Sequence, residues 1–95
     1  MTDADFADLQ AQLVALRVAV EGAWLSLLAP APDPVGDAQR LGAQHAAAVA
    51  QLEARNANAQ AVRDAVIFHT EQMWGSIAWQ LADRAEKAGA TEQDV

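Results

Sequence analysis

Ninety-five residues with 13 acidic against 6 basic side chains, a formal charge of −7, make one domain's worth of chain, too little for a multidomain enzyme. A pI near 4.4 repels phosphate backbones and anionic headgroups, so neither nucleic acid nor membrane is an expected partner. Zero cysteine excludes disulfides, thiolate catalysis and cysteine-based zinc sites, and fits a reducing, cytoplasmic setting. The acidic start, Met1 to Asp8, lacks the basic region of a secretory signal.

The composition predicts an all-α chain folded as a single helical domain over residues 1–95. About a quarter of the residues are alanine, and the strand-favouring Thr, Tyr and Phe are few or absent. Alanine also dilutes the 53% hydrophobic fraction, because its burial removes little area from water. A chain this small therefore gains from burying further surface against a partner.

The first helix is expected over about residues 3–29. Thr2 or Asp3 caps it, and Asp3, Asp5 and Asp8 complement the positive end of its dipole. Phe6, Leu9, Leu13, Leu16, Val20, Ala23 and Leu27 then recur at spacings of three and four, the a/d seam of a heptad. Val14, Trp24 and Leu28 widen that seam into a bundle-type face. The most apolar stretch, Leu13 to Pro32, contains Arg17 and Glu21 and ends in prolines, which argues against a membrane span.

A proline turn is expected over 30–34, where Pro30, Pro32 and Pro34 alternate. Asp33 before Pro34 reads as an N-cap with proline in the first helical position, and Asp37 offers a second cap. From there to about residue 87 no proline occurs, so a long second helix is expected over about 35–87. Its stretch from Ala38 onward alone would measure about 75 Å, roughly twice the ~39 Å of the first helix.

Two architectures resolve the mismatch. In one, a helical hairpin of a short first and a long second helix pairs with a copy of itself into an antiparallel four-helix assembly. In the other, the long helix breaks near Asn56–Asn58 into a three-helix bundle. The apolar stripe Leu41, Ala48, Leu52, Ala59, Val62, Val66, His69, Met73 and Ile77 crosses this region without a phase slip, which favours the continuous helix. Pairing two long helices antiparallel about Ala57 sets Leu41 opposite Met73, Leu52 opposite Val62 and His45 opposite His69. The alanines at 47, 50, 54, 57, 61 and 65 would let helix axes approach closely, or reflect helix propensity alone.

No catalytic constellation is present, and the chain reads as a non-enzyme. Ser76 lies about 10 Å along the helix from His69, too far for activation by it. Neither His45 nor His69 has a carboxylate or imidazole at helical ligand spacing, so no metal site and no cofactor are expected. The segment from Phe68 to Leu81 concentrates the residue types found at interface centres, and Trp79 points about 140° from Trp74 on an ideal helix. The candidate interface residues are Leu41, Leu52, Val62, Val66, Phe68, Met73, Trp74, Ile77, Trp79 and Leu81. A frayed tail is expected over 88–95.

Small secreted hairpins with Trp-x-Gly in the turn do not match, since Trp74-Gly75 falls within the second helix. Type III secretion needle subunits share a proline turn and a long second helix, too loosely to name a family. The expected function is a helical interaction or regulatory module acting through self-association, as a homodimer. One alternative is an adaptor, chaperone-like or secretion-apparatus subunit whose exposed helix another protein covers. A second is a bundle sensing metal or pH through His45 and His69.

Overall fold

The computed structural model describes residues 2–93, in which helices account for 86% of the residues and no strand occurs. There are three: α1 (Asp3–Leu28), α2 (Pro34–Ala50) and α3 (Ala57–Gln93).

Helix α1 starts with a reciprocal capping box. The Thr2 hydroxyl accepts from the Asp5 N–H at 3.1 Å, and the Asp5 carboxylate accepts from the Thr2 N–H at 3.1 Å. Two hydrogen bonds close its far end, Ala29 N–H to Leu25 O and Ala31 N–H to Leu28 O, both 2.9 Å. Pro30 and Pro32 then have no N–H with which to continue the helix. Asp33 caps α2 by accepting from the Gly36 N–H at 3.1 Å, with Pro34 in the first turn where its missing donor costs nothing.

The continuous helix expected over 35–87 does not form. Helix α2 stops at Ala50, where Gln51 and Leu52 donate back to Ala48 and Val49 at 3.2 and 3.0 Å. Asn56 then caps α3, its side chain accepting from the Ala59 N–H at 2.8 Å. The Arg63 guanidinium reaches the Leu52 carbonyl and the Gln60 amide the Ala54 carbonyl, each at 3.4 Å, tying the linker to the first turns of α3. The pairing register about Ala57 loses its physical basis, because 51–56 is a turn and not the middle of a rod.

Helices α2 and α3 pack antiparallel. Near the turn Arg63 reaches Leu52, and farther along both helices Gly42 faces Trp74, so residue numbers run in opposite senses. The core is small. Leu25 and Leu28 of α1, Ala38 of α2, and Trp74, Ile77 and Leu81 of α3 are buried together, with Trp24, Val35, Leu41, Met73 and Ala78 partly buried around them.

Only the last two turns of α1 join this core. Every residue from Thr2 to Ala19 is exposed, so α1 leaves the α2–α3 pair as an arm. The molecule measures 57 × 34 × 16 Å with a radius of gyration of 17.0 Å. A compact domain of this length has a radius near 12 Å.

Candidate interaction surface

Trp74 is where the three helices meet. Its ring lies 5.0 Å from that of Trp24 at 57°, which fastens α1. Its indole N–H donates to Nδ1 of His45 at 3.1 Å, and the imidazole stands edge-on at 6.5 Å. Accepting through Nδ1 means that His45 carries its proton on Nε2. Gly42 faces the same side chain so closely that an added Cβ would lie 2.8 Å from Trp74 Cβ. Glycine is required there because the rigid root of a buried tryptophan occupies the space.

His45 is thus engaged within its own chain, and the register that set it opposite His69 of a second copy rested on the continuous helix that does not form. His69 is exposed, with its ring 5.3 Å from that of Phe68. Among the described residues no group of three or more His, Cys, Asp or Glu side chains is placed to hold a metal ion. Beside Trp74 lies an open cleft of about 360 Å³ lined by Val20, Trp24, Leu41, Gln44, His45 and Met73.

The candidate interface residues divide into three groups. Trp74, Ile77 and Leu81 are taken up by the chain's own core, and Leu41 and Met73 pack partly buried against it. Leu52, Val62, Val66, Phe68 and Trp79 are exposed, Trp79 at 68%. The two α3 tryptophans thus separate as their angular spacing demands. Five of the six alanines proposed as a close-packing stripe, at 47, 50, 57, 61 and 65, are exposed, and close approach occurs instead around Gly42.

A long exposed apolar surface lies on the seam that the sequence assigned to a bundle face. Phe6, Leu9, Leu13, Leu16 and Leu27 of the heptad seam are exposed, Leu27 at 67% although it lies within the docked end of α1. Of the docked residues, Leu25 and Leu28 lie roughly 150° and 90° around the helix from the mean line of the seam, and Trp24 only about 50° from it. Most of the seam is therefore left uncovered by the α2–α3 pair, Val20 being its half-buried member in the cleft beside Trp24 and Trp74.

Contrary to the reading of Leu13 to Pro32, α1 is by length and composition apolar enough to cross a membrane. It contains an 18-residue stretch of mean hydropathy 1.4, of which 11% is buried. Arg17 and Glu21, paired at 3.3 Å, stand near the middle of that helix. A charge at that depth costs about 2.5–3.5 kcal/mol on insertion scales. Val14 and Val18, outside the seam, are also exposed.

Among the described residues, Asp5 and Lys87 depart from their ordinary values. The backbone and hydroxyl hydrogen bonds of Thr2 hold the Asp5 carboxyl below its usual value. Lys87 is raised, chiefly by its hydrogen bond to Asp83 and then by that group's charge. Both are fixtures of helix surfaces.

No protein-family model, no curated protein and no solved structure matches the chain.

Proposed function

We propose that the protein is a non-enzymatic helical interaction module that acts through self-association. The observation that carries this reading is surface area. The chain exposes 6931 Å², whereas a compact monomer of 10.1 kDa exposes about 5,300 Å². The excess, roughly 1,600 Å² on each chain, is more than the ~800 Å² that each partner contributes to a standard interface. The exposed surface includes large apolar side chains such as Phe6, Leu13, Leu16 and Phe68, whose cover by a partner would be favourable.

Two chains of three helices each would associate into a bundle larger than the four-helix assembly drawn from the sequence. The small core fits this reading too, because six residues make up its buried cluster. Analytical gel filtration with light scattering tests the proposal. A mass of two chains, persisting at low micromolar concentration, supports it. A folded monomer at all concentrations refutes it and favours an adaptor whose exposed helix a different protein covers.

A further inference from the structure

We infer that the partner is a second copy of this chain docked through α1, the two α1 seams lying antiparallel across a two-fold axis near Leu16. This rests on the self-association reading and names the surface and orientation that it uses. Most of the seam is free to pair, because Phe6, Leu9, Leu13, Leu16 and Leu27 are exposed, while α1 docks on its own chain chiefly through Trp24, Leu25 and Leu28 with Val20 half-buried beside them. It also extends the full length of the arm, from Phe6 to Leu27, about 32 Å along the axis.

The antiparallel sense follows from charge. Asp3, Asp5 and Asp8 crowd the first two turns of α1. A parallel pair would set these carboxylates against their own copies, whereas an antiparallel pair parts them by nearly the ~39 Å length of the helix. It also opposes the two helix dipoles. In this register Leu16 meets Leu16 on the axis, Leu13 meets Val20, Leu9 meets Ala23 and Phe6 meets Leu27. Every layer in this register sets apolar against apolar. A bilayer is the poorer occupant, since Arg17 and Glu21 would enter its apolar interior.

The absence of native cysteine gives a direct test with single substitutions. On mild oxidation, the Leu16→Cys variant is expected to form a covalent dimer, and Leu27→Cys alone is not. Mixing Phe6→Cys with Leu27→Cys protein is expected to yield the mixed dimer. Cross-linking of Leu27→Cys alone as readily as Leu16→Cys would show a parallel pair and overturn the inference. The double variant Leu9→Glu, Leu13→Glu, altered only at exposed positions, is expected to keep its helicity by circular dichroism. Its dimer should dissociate at a concentration at least about tenfold higher. If the unmodified protein dimerises but this variant dimerises equally well, α1 is not the interface while self-association stands. A monomer at every concentration removes both readings, and a monomer that floats with phosphatidylcholine vesicles assigns α1 to the membrane instead.

Discussion

Trp74 is the residue on which the fold turns, and its neighbours set what substitutions there should do. Trp74→Ala should destabilise the protein by about 3–5 kcal/mol in urea unfolding, since it removes the ring that joins α1 to the α2–α3 pair. Gly42→Ala should cost about 1–3 kcal/mol, because the new methyl meets the Trp74 Cβ and not a yielding side-chain tip. His45→Ala should cost about 1 kcal/mol and shift tryptophan emission, by removing the acceptor of the indole N–H. A Gly42→Ala protein of unchanged stability would mean that the helices separate more easily than this contact implies. The sequence marks Trp74 as important but not its role. Burial of one α3 tryptophan and exposure of the other depends on which face α2 covers, and that is decided by a register between elements far apart in the chain.

The helix ends show what local chemistry can and cannot announce. Thr2, the alternating prolines and Asp33-Pro34 are written in short-range stereochemistry, and α1 and the start of α2 fall within a residue or so of the expected places. The break after Ala50 carries neither proline nor glycine. From Ala50, the last residue of α2, to Ala57, the first of α3, is a step of seven, so the heptad count resumes in phase across the turn. The unbroken stripe was therefore compatible with a broken helix, and the local sign of a break was the pair Asn56 and Asn58, of which Asn56 caps α3. Asn56→Ala should cost about 1 kcal/mol and fray the first turn of α3, visible as faster amide exchange there. At the other cap, Asp5 has its folded pKa depressed below an ordinary value of 3.8. Its contribution to the first turn of α1 is thus fully present above that value and is lost as pH falls through the lower folded one. Carbon chemical shifts of residues 3–6 should report this local loss, and Thr2→Ala, which removes the hydroxyl but keeps the backbone N–H, should move the titration of Asp5 part of the way back up.

At the scale of the molecule, the structure is a small three-helix core with an apolar arm. The heptad seam of α1 was legible from the sequence, but its direction was not. Periodicity says that a face wants burial and does not say against what. Leu25 and Leu28, two positions outside the strict seam, win the intrachain contact because the proline turn delivers that side of α1 to Ala38 and Ile77. Most of the seam is left over, and the chain remains more extended than its length warrants. The most direct test of the account is sedimentation equilibrium of the purified chain over a wide concentration range. A species of two chains, converting to monomer only on strong dilution, is the predicted result. A single folded species of 10.1 kDa at every concentration would contradict it.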